Sequence, residues 1–326
     1  MIPSIPGTPS RRRPVERGTA RRQAPALGLM LFVSLWSAWA VAEEPLRFAV
    51  TADNKTHVGY ATIVRRMAEV PGGRIQFLIS AGDQNPAAMT RSQLDAVFGK
   101  TLPWYPVVGN HDASTTATDE MTVLREHYDT HLKGKVNAGP EGTHETTYSF
   151  DAGDVHVAII NQYWDGKPKP GHDAVGNGDV VPALVAWLRK DLAASRKPWK
   201  IVVGHEPAFP QHDQDLERGR HATSSLNADT KHRDAFWKVL EDTGCAAYVC
   251  GHTHCYSRYQ PEGSRVWQID VAQARGSSTS WKYDAFVIVT ADRSRLTFDV
   301  HRNLKKEGQF EVTDSLTLQA DAARAE

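Results

Sequence analysis

The stretch VCGHTHCY, Val249 to Tyr256, sets two histidines one residue apart between two cysteines. Alone it fits half of a zinc–thiolate site, a disulfide hairpin, or two histidines on an ordinary loop. What decides between these is which other residues of the chain reach the same point.

Four more short apolar runs resemble the one that leads into this stretch. RFAVTA (47–52), QFLISA (76–81), YPVV (105–108), KIVV (200–203) and AYVC (247–250) are continuously apolar, as strands buried on both faces are. Each run leads into a polar residue able to bind a metal: Asp53, then Asp83, then Asn110-His111-Asp112, then His205, then His252 and His254. In four of the five, a glycine (Gly82, Gly109, Gly204, Gly251) stands directly before the first such residue. A residue without Cβ lets the chain turn sharply off a strand and lets a ligand approach the backbone. Ligands of α/β sheets bind at the carboxyl ends of the strands. The pattern therefore predicts one cluster of oxygen and nitrogen donors.

Between the strands lie amphipathic helices. Tyr60, Ile63, Val64 and Met67 recur at helical spacing, as do Val181, Leu184, Val185, Leu188 and Leu192, with Asp179 placed to cap and Pro182 in the first turn. Phe236, Val239 and Leu240 mark a third helix. RLTFDVH (295–301) alternates instead, and with TYSF and VHVAIIN around Asp151–Asp154 it predicts an antiparallel portion. The expected architecture is α/β, with two mixed sheets inside and helices outside. The long polar segment 208–231, with His212, His221 and His232 in or beside it, reads as a substrate lid. Asn161, Gln162 and Tyr163 follow a strand and are candidates to line the pocket.

With 40% hydrophobic and 23% charged residues, the 326-residue chain falls among ordinary globular proteins rather than disordered or fibrous ones. Arginines at 11, 12, 13, 17, 21 and 22 precede an apolar run from Leu27 that closes with Ala40-Val41-Ala42. A basic region, a short apolar region and an A-x-A exit read as a cleaved secretory signal over residues 1–42. Export to the periplasm or the outside follows as an expectation. Arg21-Arg22 hints at the twin-arginine route, but RRQAP lacks the apolar pair expected after the arginines. Taking away the six arginines and one glutamate of that segment leaves 32 basic and 37 acidic residues, a net of −5. A mildly acidic body disfavours a nucleic-acid partner. No second long apolar run follows, so no stable membrane insertion is expected after the leader. Cys245, Cys250 and Cys255 are too few for a disulfide framework and read as inert thiols. Residues 43–316 form the expected catalytic domain and 317–326 a loose tail.

The donor types define the chemistry. Two carboxylates, an amide and three imidazoles suit Mn, Fe, Zn or Co, and poorly suit a cysteine-rich structural zinc site. Six donors exceed one tetrahedral ion but fit two divalent or trivalent ions that share a carboxylate. Such a pair generates hydroxide at neutral pH and clamps an in-line displacement at phosphorus.

At this point the sequence resembles a known family. The blocks AD (52–53), GDQN (82–85), GNHD (109–112), GHEP (204–207) and GHTH (251–254) are similar, in order, to the signature of the calcineurin-like metallophosphoesterases, which include purple acid phosphatases and phosphodiesterases. The resemblance implies a four-layer α-β-β-α sandwich that hydrolyses a small-molecule phosphate ester, monoester or diester, with a metal-bridging hydroxide. It implies Asp53 and His254 on one metal, Asn110, His205 and His252 on the other, and Asp83 bridging. His111 would contact the phosphate or protonate the leaving oxygen, with Asp112 orienting it and Asn110 beside the substrate. Two departures stand out. Where most members have D-x-H, this chain has Asp53-Asn54-Lys55. Where purple acid phosphatases have a tyrosine three residues after the second Asp, it has Pro86. Lys55 is then a candidate to pair with phosphate or with Asp53. The missing ligand motivates an alternative expectation: a metal- or phosphate-binding protein of the same fold with little turnover.

Overall fold

The computed structural model describes residues 44–55, 59–114, 119–168, 177–276, 283–306 and 309–320. The expected leader, 1–42, lies outside these residues.

In chain order the elements are β1 (Leu46–Thr51), α1 (Tyr60–Glu69), β2 (Leu78–Ser80), α2 (Ala87–Phe98), β3 (Trp104–Pro106), α3 (Asn110–Ala113) and α4 (Glu120–His127). Next come β4 (Asn137–Ala138), β5 (Tyr148–Ala152), β6 (Val155–Ile159), α5 (Pro182–Ala194), β7 (Trp199–Val203), α6 (Thr230–Asp242) and β8 (Ala247–Cys250). The chain closes with β9 (Tyr256–Tyr259), β10 (Trp267–Val271), β11 (Ala285–Ala291), β12 (Arg295–Lys306) and β13 (Gln309–Gln319). Two mixed sheets result, ordered β13-β12-β11-β1-β2-β3 and β4-β5-β6-β7-β8-β10-β9.

Both faces of the central strands are covered, which is why they read as unbroken apolar runs. In β1, Phe48 and Val50 point into the core between the sheets, while Ala49 packs with the buried α1 stripe Tyr60, Ile63, Val64 and Met67. In the other sheet, Val157, Ile159, Ile201 and Val203 face that same central core. Ala158, Ile160 and Val202 meet Leu184, Leu188 and Leu192 of α5 and Phe236, Val239 and Leu240 of α6 on the outer side. The layers are thus helix, sheet, sheet, helix, as expected. Each fully buried Leu, Ile, Val or Phe contributes about 1.5–3 kcal/mol.

Pairing explains how the site arises. β1, β2 and β3 run parallel side by side, as do β7 and β8. The strand ends that carry the polar residues therefore open toward one rim.

Two local expectations need correction. Asp179 does not cap α5: Val181 is the N-cap and Pro182 the first helical residue, so Asp179 sits too far upstream to reach the first-turn amides. Asp179 Oδ2 instead accepts from His232 Nδ1 at 2.7 Å. The expected tail also begins too early. Thr317, Leu318 and Gln319 belong to β13 and pair with Thr297, Leu296 and Arg295 of β12. β13 lies at a sheet edge and is mostly solvated, so its sequence carries little apolar signal. Residues 321–326 lie outside the described residues. The three cysteines are buried free thiols.

Candidate metal centre

Sharp turns at the strand ends gather the predicted donors. Asp53, Asp83, His252 and His254 all adopt the left-handed backbone region, with φ of 53°, 56°, 73° and 59°. Non-glycine residues seldom occupy it, and such strain clusters where geometry serves function. Gly251 shows why glycine precedes the histidines: a Cβ there would lie 2.4 Å from Ala52 Cβ and 2.7 Å from Asp53 Oδ2. Gly82, at φ +92°, would put a Cβ 2.2 Å from His205 Nδ1.

The donors meet. His205 Nε2 lies 3.5 Å from Asp83 Oδ1 and 3.3 Å from Asn110 Oδ1. His252 Nδ1 lies 3.2 Å from the same Asn110 oxygen. His254 Nε2 is 3.2 Å from Asp53 Oδ1, and His252 N donates to Asp53 Oδ2 at 2.8 Å. Asp53, Asp83 and His205 each offer a ligand atom within 4.8 Å of the others.

These residues fit a cation. His205 donates its Nδ1–H to the Ala81 carbonyl at 2.7 Å. In the neutral ring Nε2 is then a bare lone pair, aimed at two oxygens that also carry only lone pairs. Three electron-rich atoms facing one another in a buried site favour a positive ion among them, although the His111 N–H and Lys55 already meet Asp83. Asp53 Oδ1 and His252 Nε2 are buried without a hydrogen-bond partner, which points the same way. Burial, with His205 and His221 nearby, lowers His252 to about 2, so its ring stays neutral and able to donate a lone pair. Burial alone would raise Asp53, but His254, His205 and Lys55 outweigh it and hold the carboxylate well below its usual range.

A buried frame positions these ligands. Gln162 Oε1 accepts from the backbone N–H of both His205 and Glu206, each at 2.7 Å, and Gln162 Nε2 donates to Tyr248 Oη at 2.8 Å. Tyr163 Oη donates to Glu206 Oε1 at 2.8 Å, and Asn161 Nδ2 to Thr146 Oγ1 at 3.0 Å. Asn161, Gln162 and Tyr163 therefore brace the site from below rather than line an open pocket. Asp112 behaves similarly. Its Oδ2 accepts from the backbone of Asp83 and Gly109, both at 2.9 Å, and from Gln84 Nε2 at 3.0 Å. It ties two strand ends together instead of orienting the His111 ring. Burial, then Asp83, push Asp112 well above the ordinary carboxylate range.

His111 projects from the rim. Its ring is about half exposed, with Nε2 3.9 Å from Asp83 Oδ2, while its backbone N–H donates to Asp83 Oδ1 at 2.9 Å. Lys55 Nζ pairs with Asp83 Oδ2 at 3.0 Å rather than with Asp53.

The segment expected to be a lid does reach the centre. His221 stacks on His252 with ring centroids 4.2 Å apart. Arg220 Nη1 contacts both ring nitrogens of His254, and Arg218 Nη2 donates to the His254 carbonyl at 3.1 Å. Arg275, from the loop after β10, sets Nη2 3.2 Å from His254 Nε2 and donates Nε–H to the Asp53 carbonyl at 3.1 Å. Sequence reasoning missed Arg220 and Arg275. Neither belongs to a periodic run or to a motif, and only their charge in loops near the glycine-led blocks marked them.

Comparison with known proteins agrees with this geometry. Residues 46–256 match the calcineurin-like phosphoesterase family. The chain belongs to that family. It is 24% identical over 227 residues to purple acid phosphatase 17 of Arabidopsis thaliana, covering 64% of this chain and 61% of the relative. It is 22% identical over 268 residues to tartrate-resistant acid phosphatase type 5 of Oryctolagus cuniculus, covering 72% and 75%. The chain thus spans about three-fifths of the Arabidopsis protein's length. Among solved structures, PhoD superposes with a TM-score of 0.60 at 13% identity, covering 86% of this chain and 70% of PhoD. GAP50, the anchor in the inner membrane complex of Plasmodium, gives 0.54 at 12% identity, covering 86% and 90%. At such identity these likenesses concern the fold alone.

Proposed function

We propose that this calcineurin-like phosphoesterase hydrolyses small-molecule phosphoric esters at a centre for two transition-metal ions. Asp83 would stand between them, with Asn110, His205 and His252 holding one ion and Asp53 and His254 the other. The observation that carries the reading is the convergence of Asp83 Oδ1 and Asn110 Oδ1 on His205 Nε2, while His205 Nδ1 donates to the Ala81 carbonyl. When bound, the ions supply Lewis-acid neutralisation at phosphorus and acidify water.

The chain's own residues do the rest. Asp112 and Gln162 fix the loops that present the ligands, so that little reorganisation accompanies reaction. His111, held by its backbone on Asp83 and open to solvent at the ring, reaches the departing oxygen and donates its proton. Lys55 adds positive charge on the Asp83 side, where phosphate oxygens would enter. Acid phosphatase is the name of several relatives, which favours phosphatase chemistry here as well. Export remains part of the proposal, on the charge and length of segment 1–42.

The test is hydrolysis of p-nitrophenyl phosphate and bis(p-nitrophenyl) phosphate beside metal analysis of the purified protein. Metal-dependent release of nitrophenol from either ester supports the reading, and the ratio between them assigns monoesterase or diesterase. Full metal loading with no turnover on either ester overturns it in favour of a binding protein.

A further inference from the structure

The two halves of the centre differ in a way that the ligand set alone does not reveal. A ligating imidazole gives its one lone pair to the metal and its N–H to a carbonyl or carboxylate. His205 meets that rule, with Nδ1–H on the Ala81 carbonyl and Nε2 free. His254 does not. Arg220 Nη1 addresses both of its nitrogens, and Arg275 Nη2 lies 3.2 Å from Nε2. A guanidinium has only donors. Arg220 and Arg275 therefore set cationic N–H groups against the His254 ring, where a second ion would bind.

We infer that Arg220 competes with a metal ion for the Asp53–His254 position, so that the centre loads in order. The inference rests on the metal-centre reading above. In the half built from Asp83, Asn110, His205 and His252, His205 keeps Nε2 toward Asp83 and Asn110 with its Nδ1–H on a carbonyl, and this half holds a resident ion. The half built from Asp53 and His254 admits an ion only when Arg220 withdraws.

Three further observations support this asymmetry. Lys55 pairs with Asp83 Oδ2 at 3.0 Å and adds a further cation at the shared carboxylate. Asp53 Oδ1 is buried and lies 3.2 Å from His254 Nε2, so both atoms are placed to share one ion. The loop that carries Arg220 is anchored. Arg302 and Asp213, both almost fully buried, pair at 2.9 Å, and Tyr256 N donates to Asp213 Oδ2 at 3.0 Å. With the loop fixed seven residues upstream, Arg220 is held near His254, and its departure calls for rotation of one side chain rather than opening of the loop.

The experiment is a titration of chelator-stripped full-length protein with Mn²⁺ and with Zn²⁺, read as bound metal per chain. Wild-type protein should take up one ion per chain and then a second at least about tenfold more weakly, given like-charge repulsion at close range. Arg220→Ala should tighten the second step by about tenfold or more and leave the first unchanged. Arg220→Gln, which keeps length but not charge, should behave like the alanine variant. An unchanged first step also reports that each variant is folded. Two equal steps in wild-type protein, or an unaltered second step in both variants, overturns the inference. Less than one ion bound by wild-type protein and both variants overturns the metal-centre reading together with it.

Discussion

His205 Nε2 lies 3.5 Å from Asp83 Oδ1, although the two residues follow different strands in different sheets. With His205 Nδ1–H donated to the Ala81 carbonyl, a neutral ring turns a bare lone pair toward this carboxylate, an arrangement that suits a bound ion. Asp83→Asn removes the charge and keeps the shape. It should drop bound metal below half the wild-type content and lower turnover by about 10²–10³-fold, because losing preorganised charge stabilisation has effects of that size. Metal analysis and an aryl phosphate assay on the same sample check it.

His111→Ala separates chemistry from binding. The ring is about half exposed and the bond to Asp83 comes from the backbone, so the loop should survive. We expect kcat to fall about 10²–10⁴-fold, the range for loss of a general acid, with metal content unchanged. Loss of metal would place His111 among the ligands instead.

Gln162→Leu tests the brace. It leaves the buried N–H groups of His205 and Glu206 without their acceptor, and each such group costs about 1–3 kcal/mol. Denaturant unfolding should show a loss of about 2–5 kcal/mol at unchanged m-value. A change within 0.5 kcal/mol, the scatter of inert surface substitutions, would mean that the frame does not depend on this contact.

A pH effect is expected far from the centre. His156 lies between Asp151 Oδ1 at 2.7 Å and Asp191 Oδ2 at 2.8 Å. Burial disfavours its charge, but Asp191 and Asp151 outweigh burial and raise its pKa above the ordinary value. A raised pKa means that the charged form binds its partners in the folded state. The stabilisation is complete below the ordinary histidine value and fades as pH rises through the raised one. A neutral ring has one N–H and satisfies only one carboxylate. The melting-temperature gap between wild type and His156→Gln should therefore be larger at pH 5.5 than at pH 9. An equal gap at both would contradict the ion-pair account.

Much of the site was legible because each donor follows a strand buried on both faces and a glycine that the packing requires. Gly251 is an instance, with no room for a Cβ between Ala52 and Asp53. Loops carried no such signal. Arg220 and Arg275 reach His254 from segments without periodicity, and Asp112 turned out to bind the backbone of Asp83, which no spacing rule anticipates. β13 escaped notice for a related reason: an edge strand with solvated side chains differs little from a tail.

The most direct measurement is phosphate release from an aryl phosphate by protein stripped of metal with a chelator and then reloaded with Mn, Zn or Fe. The account predicts background rates after stripping and recovery on reloading with at least one of these ions. Turnover that persists in stripped protein, or none with any ion, would contradict it.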